Sequence, residues 1–220
     1  MTEVLGVDWY RRGWVGVVLR SARPPAVLAA PALEPLIARV PDAGCIGVDM
    51  PIGLPSVERE ADAMARAYVG RRRSSVFMTP PREVLAAATY GEANVAATAM
   101  IGKKISQQAW ALRHNIALVE TVARADPRVV EVHPEVSFRA MAGCELEHPK
   151  TTWNGQAMRR ECLAREGIVL PDRLDEGGVV PVADVLDAAA AAWSARRHAA
   201  GEARSFPPDA RNGQLEVIWY

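Results

Sequence analysis

The sequence predicts a single α/β domain, residues 1–220, built on a mixed β-sheet flanked by helices, with a helical insertion over roughly residues 53–127. Three observations carry this prediction. Two β-rich apolar runs near the N-terminus flank a glycine-containing turn. The tripeptide Gly-Val-Asp occurs twice, at residues 6–8 and 47–49, each time closing an apolar run. Most of the chain beyond the second of these tripeptides has helical rather than alternating spacing.

In chain order, Val4–Val7 and Trp14–Leu19 around Arg11-Arg12-Gly13 predict a hairpin. Ala26–Ala29 adds a third strand, and Ala32–Arg39 a short helix. Cys45–Val48 runs into Asp49, where Pro51 forbids smooth continuation. Ser56 is the expected cap of a helix with Glu58 and Glu60 in its first turn and Val57, Ala61, Met64, Ala65 and Tyr68 on one face, ending at Gly70. Ile105, Ala109, Leu112, Ile116, Val119 and Ala123 predict one longer helix, closed off by Pro127. Arg128–Val132 reads as a strand, and Pro134 suits the first turn of a helix ending at Gly143. Asn154 is the expected cap of a helix ending near Gly167. Asp184–Ala200 is an Ala-rich helix stopped by Gly201, and Gln214–Tyr220 a final strand.

Composition narrows the function classes. The chain is 50% hydrophobic over 220 residues, long enough to bury a full core without staples. Its formal net charge is zero, so no global basic field draws it onto nucleic acid, and any such contact must come from a local patch. Cys45, Cys144 and Cys162 are scattered, odd in number and form no CxxC pair, which argues against a structural zinc site or a disulfide framework. No apolar run reaches the roughly 20 residues of a membrane helix, and the N-terminus lacks a secretory pattern. The expected location is the cytoplasm, with no membrane partner; a homodimer is the default assembly. His114, His133, His148 and His198 lack HExxH spacing, and no GxSxG or GxGxxG turn is present.

The chemistry concentrates in aspartates. The spacing of three between Asp184 and Asp187 puts both carboxylates on one helical face; acids in a first turn are also favoured by the helix dipole alone. Asp8 and Asp49 each follow an apolar strand, where a turn residue capping its own backbone is the plain explanation. If the two strands are parallel neighbours, about 4.8 Å apart, both acids share one sheet edge within reach of one cation. Crowded carboxylates repel, and Mg²⁺ or Mn²⁺ relieves the repulsion.

Other polar groups are candidates for substrate contact. Arg71, Arg73, Ser74 and Ser75 form a basic, hydroxyl-bearing stretch suited to phosphates. Lys103, Lys104, Ser106 and Gln107 open the expected long helix, where backbone N–H groups can hold an anion. Glu131 and His133 fall on one side of a strand end, as candidate metal ligand or general base for Glu131 and substrate contact for His133. Lys150, Arg159 and Arg160 read as surface residues.

Gly6-Val7-Asp8, Gly13-Trp14, Asp49-Met50-Pro51-Ile52-Gly53-Leu54, Arg73-Ser74-Ser75-Val76-Phe77, Glu131-Val132-His133-Pro134-Glu135 and Asp184-Val185-Leu186-Asp187-Ala188, in this order, resemble the DUF429 family, a group regarded as predicted nucleases of the ribonuclease H-like superfamily. The resemblance runs from about Leu5 to the C-terminus. It implies a ribonuclease H-like fold whose usual sheet order sets the Asp8 and Asp49 strands side by side. The acids also resemble those of RuvC-type Holliday-junction resolvases, with one on the first strand, one on the fourth and two spaced by three on the last helix. Asp8, Asp49, Asp184 and Asp187 fit those places. Two positions depart from the pattern: Asp49 stands where resolvases typically carry Glu, and Trp9 follows Asp8 where a small residue is expected. The implied activity is two-metal hydrolysis of a phosphodiester with Mg²⁺ or Mn²⁺, Asp8 bridging and nucleic acid or a nucleotide as substrate. Two other classes stand beside it: an ATP- or nucleotide-binding protein of the actin and sugar-kinase type, which shares this sheet, and a non-enzymatic interaction module that retains the fold.

Overall fold

In a computed structural model describing residues 2–220, the chain forms five strands of one sheet, nine α-helices and a small two-stranded ribbon among the described residues. β1 (Val4–Tyr10), β2 (Gly13–Leu19) and β3 (Ala26–Ala30) lead through α1 (Leu33–Ala38) to β4 (Cys45–Val48). α2 (Glu60–Val69), α3 (Arg82–Leu85), α4 (Tyr90–Ile101), α5 (Gln107–Ala111) and α6 (Arg113–Ala125) precede β5 (Val129–Glu131). α7 (Pro134–Ala142), α8 (Trp153–Arg165), α9 (Val182–Ala199), β6 (Ser205–Phe206) and β7 (Ile218–Trp219) complete the order.

The sheet runs β3-β2-β1-β4-β5. β1, β2 and β3 pair antiparallel, whereas β1, β4 and β5 pair parallel, which makes the sheet mixed. β1 and β4 are therefore parallel neighbours, with Gly6 opposite Gly47 and Val7 opposite Val48.

Strand alternation divides the core between the two faces of the sheet. Leu5, Val7, Ile46 and Val48 pack toward α1 and α6, with Leu33, Leu36, Ile116 and Val119. Val4, Cys45 and the alanines of α9 pack on the other face. Gly6 and Gly47 fall on that second face by the same alternation. A Cβ on Gly47 would lie 2.7 Å from the Ala191 carbonyl oxygen, and one on Gly6 would lie 2.2 Å from that of Ala188. The two glycines let an alanine-lined helix rest directly on the strand backbones.

Several boundaries differ from the sequence expectation. β1 does not stop at Asp8. Its hairpin ladder with β2 continues to Tyr10 opposite Gly13, and only the parallel ladder with β4 ends at Val7. The expected helix from Ile105 to Ala123 is two, α5 and α6, parted at Leu112. Ile105 stands outside both because α4 holds its backbone: Tyr90 Oη donates to its carbonyl, and its N–H donates to Asn94 Oδ1. α4 itself starts with a capping box of Thr89 and Glu92 that no expectation included. α2 begins at Glu60 rather than after Ser56, and Thr152, not Asn154, caps α8. The expected last strand shrinks to Ile218–Trp219, which pairs with β6 and bridges in parallel to Val132. No helix of the described residues is long and apolar enough to cross a membrane.

Candidate metal centre

Where the parallel ladder of β1 and β4 runs out, the Asp49 N–H donates to the Val7 carbonyl oxygen at 2.9 Å. That bond sets the two aspartates side by side at one sheet edge. Each lies two residues beyond its glycine, so both sit on the face that α9 covers. On α9, Asp187 immediately precedes Ala188, the residue whose carbonyl oxygen meets Gly6. Docking of the helix therefore delivers the third acid. One oxygen from each of Asp8, Asp49 and Asp187 falls within 4.8 Å of the other two.

Two of the three acids are shielded from water, Asp8 at 6% exposed and Asp187 at 1%, whereas Asp49 is half-buried. Asp8 is held well above the usual carboxylate range by burial and then by the charges of Asp49 and Asp187. Asp49 is pushed up to about 8, by burial and then by Asp187. Burial also raises Asp187, against the pull of Lys150. Asp184, one turn earlier on α9, lies half-buried at the rim of the same cavity, outside the tight triad but raised by burial as well.

The cavity encloses about 320 Å³. Trp9 borders it and packs against the apolar cluster that includes Leu5, Val7 and Val48. Lys150 reaches in from the segment before α8 and donates from Nζ to Asp187 Oδ2. Burial disfavours its charged form, but Asp187 more than restores it, and Lys150 stays a cation. Asp8 Oδ1 accepts the Trp9 N–H at 2.7 Å.

Glu131 also lines the cavity, but one of its carboxylate oxygens is engaged. Oε2 accepts from the Ile52 N–H at 2.6 Å and from Arg59 at 2.7 Å. Arg59, fully buried, also reaches Thr79 Oγ1 and lies 3.7 Å from Asp62. This network ties the start of α2 to the end of β5. His133 caps α7: its Nδ1 accepts the Glu135 N–H at 3.3 Å, and burial lowers its pKa.

The candidate phosphate contacts disperse. Among the described residues, Ser75 and His133 line the acidic cavity; the others do not. Residues 70–75 form a 3₁₀ turn, which brings i and i+3 to the same side. Ser75 accordingly donates from Oγ to the Arg72 carbonyl. Arg71 lies 3.3 Å from Glu145, and Arg73 and Ser74 are exposed. Lys103 pairs with Glu58, Lys104 is exposed, Ser106 caps α5, and Gln107 is exposed while its neighbour Gln108 faces the cavity.

Three cavity or near-cavity residues carried no such role in the sequence. Lys150 and Arg159 read as surface charges, and Glu135 appeared only within the Glu131–Glu135 motif. Arg159 is fully buried and donates to Glu135 Oε1 at 2.6 Å. Position was the available signal for Glu135, since a helix starting just after a parallel strand begins at the edge where ligands bind. Lys150 and Arg159 had no local signal.

A family model described as "Protein of unknown function (DUF429)" matches residues 6–212. No curated protein and no solved structure matches the chain.

Proposed function

The chain belongs to the DUF429 family, and within it we propose a divalent-metal-dependent phosphodiesterase that hydrolyses nucleic acid or a nucleotide on a ribonuclease H-like framework. The observation that carries this reading is the convergence of Asp8, Asp49 and Asp187, from three separate elements, within 4.8 Å of one another. Three carboxylates at that spacing, two buried and one half-buried, repel until protons or a cation neutralise them. The donor set is all oxygen, which suits Mg²⁺ or Mn²⁺ rather than zinc. Asp187 Oδ1 is buried without a partner, as an oxygen awaiting a ligand would be. The side-by-side strands bearing Asp8 and Asp49 support the ribonuclease H-like reading, as does the acid on the long helix near the C-terminus.

Asp8, Asp49 and Asp187 would hold the cation, with Asp184 at the mouth. A bound divalent ion would lower the pKa of a coordinated water and stabilise charge on the leaving oxygen. Lys150 fixes Asp187 by its second oxygen and adds positive charge where a phosphate would enter. The Arg59–Glu131 pair keeps the cavity wall in place. Burial excludes bulk water and so strengthens each of these interactions.

The test is Mn²⁺ and Mg²⁺ titration by calorimetry on wild type and Asp8→Asn in parallel, followed by a phosphodiester substrate screen. Saturable binding lost in the variant, with Mn²⁺-dependent cleavage by wild type, is the expected result. Absence of binding in wild type would favour a non-enzymatic module.

A further inference from the structure

The lining of the acidic cavity has a second, apolar part. Each aspartate at the sheet edge is followed by an apolar residue, Trp9 after Asp8 and Met50 after Asp49. Strand alternation turns Trp9 to the face opposite Asp8. Trp9 and Met50 pack with the apolar cluster of the α1 and α6 side, yet both border the cavity. The helical insertion extends this ledge. Phe77, shortly after the 3₁₀ turn, and Leu112, where α5 and α6 part, pack on the same cluster and also line the cavity. Trp9, Phe77 and Leu112 are half-buried, so each keeps surface for a ligand. Gln108, one helical turn before Leu112, is exposed and lines the cavity, where its amide offers a donor and an acceptor together.

Positive charge is sparse here. Among the described residues, Lys150 is the one lysine or arginine that lines the cavity. Proteins that hold a nucleic-acid strand neutralise several phosphates, and their affinity rests on that charge. This chain has zero net charge, and Arg71, Arg73, Lys103 and Lys104 lie outside the cavity lining. One lysine beside one acidic centre matches one phosphate group. The volume, about 320 Å³, falls at the low end of the roughly 300–1,000 Å³ typical of small-molecule sites. That is space for one nucleotide, not for a run of them.

We propose that the substrate is a small phosphodiester bearing one nucleobase, with its phosphate at the aspartates and Lys150 and its base on the ledge of Trp9, Phe77 and Leu112. Gln108 meets the edge of the base. The proposal rests on the reading of the acidic cluster as a metal-dependent phosphodiesterase centre, and narrows its substrate from nucleic acid or nucleotide to nucleotide alone. Aromatic side chains stack on any base, and a glutamine amide can pair with a base edge. Hydrolysis adds water across one P–O bond, the hydroxyl to phosphorus and the proton to the leaving oxygen.

Calorimetry on the full chain decides it. Mn²⁺ is titrated first, and the Mn²⁺-saturated protein is then titrated with adenosine 5′-monophosphate (AMP) or methyl phosphate, which share the phosphate and differ in the base. Wild type should bind AMP at least about 10-fold more tightly than methyl phosphate, the order of one stacked base. Phe77→Ala should cut AMP affinity by about 10-fold and leave Mn²⁺ and methyl phosphate binding unchanged. Gln108→Ala, at an exposed position that folding tolerates, should lower AMP affinity in the same selective way. A single-stranded oligoadenylate should bind more weakly than AMP. Equal affinity of wild type for AMP and methyl phosphate, or tighter binding of the oligoadenylate than of AMP, would overturn the proposal and leave the metal site standing. No Mn²⁺ binding by wild type would overturn both.

Discussion

A Cβ placed on Gly6 would lie 1.9 Å from the backbone nitrogen of Ala192, so the long helix α9 sits on β1 with no side chain between them. That contact brings Asp187 to Asp8, and stability and site geometry meet in it.

Gly6→Ala is accordingly expected to destabilise the protein by several kcal/mol, since backbone on both sides must move (~3 kcal/mol or more). Chemical denaturation checks this. A loss under about 1 kcal/mol would show that α9 can lift without cost, and that the site is not held by this contact.

Asp8→Asn should weaken Mn²⁺ binding by more than about 100-fold while leaving metal-free stability equal or higher. It removes one of three mutually repelling carboxylates and keeps the hydrogen-bond acceptor for the Trp9 N–H. Calorimetry and melting curves in chelator give the two numbers. Full metal binding by the variant would remove Asp8 from the site.

The pH dependence follows from Asp49. Its carboxyl titrates near 4 in the unfolded chain and at about 8 in the fold. Between those values the native state binds the extra proton, so this group's contribution to stability is lost as pH rises from about 4 to about 8. Asp49→Asn has no such proton. In chelator its melting temperature should exceed that of wild type by ~5 °C or more at pH 8, with the gap closing toward pH 5. Mn²⁺ affinity of wild type should rise over the same range as protons cease to compete. A gap that is flat with pH would contradict the burial of Asp49 charge.

Arg59→Met leaves Glu131 and Asp62 buried without their common cation. Removing one partner of a buried pair costs about 3–5 kcal/mol. Urea unfolding should show a loss of that order, and the double variant Arg59→Met, Glu131→Leu should recover part of it. A loss below about 1 kcal/mol would mean that α2 is held to β5 by apolar contacts alone.

Lys150→Met removes the cation that competes with a metal for Asp187. Mn²⁺ binding should tighten by about tenfold, equivalent to ~1.4 kcal/mol, while the metal-free protein becomes less stable. Weaker Mn²⁺ binding would show instead that Lys150 helps the metal more by holding Asp187 in place than it hinders it by charge.

The sequence by itself determined the five strands of the main sheet, the hairpin, the helix started by Pro134 and the long C-terminal helix, because each depends on local periodicity and caps. It also singled out Asp8, Asp49, Asp184 and Asp187: an aspartate after an apolar run is conspicuous, and the three-residue spacing of Asp184 and Asp187 is visible without a fold. The repeated Gly-Val-Asp held more than that, since the glycine serves the approach of α9 and the aspartate the site. Only the tertiary structure decided which acids meet. Asp187 joins the triad and Asp184 stays at the rim, because helix docking ranks positions by depth, and spacing carries no depth. Ile105 left its apparent helix for a backbone held by Tyr90 and Asn94, a competition between partners distant from the run itself. Lys150 and Arg159 looked like surface charges because a cation that reaches into a protein is recognisable only by its anion, and theirs, Asp187 and Glu135, lie far along the chain on α9 and α7. Local physics writes elements into a sequence; the pairing of buried charges is settled when those elements pack.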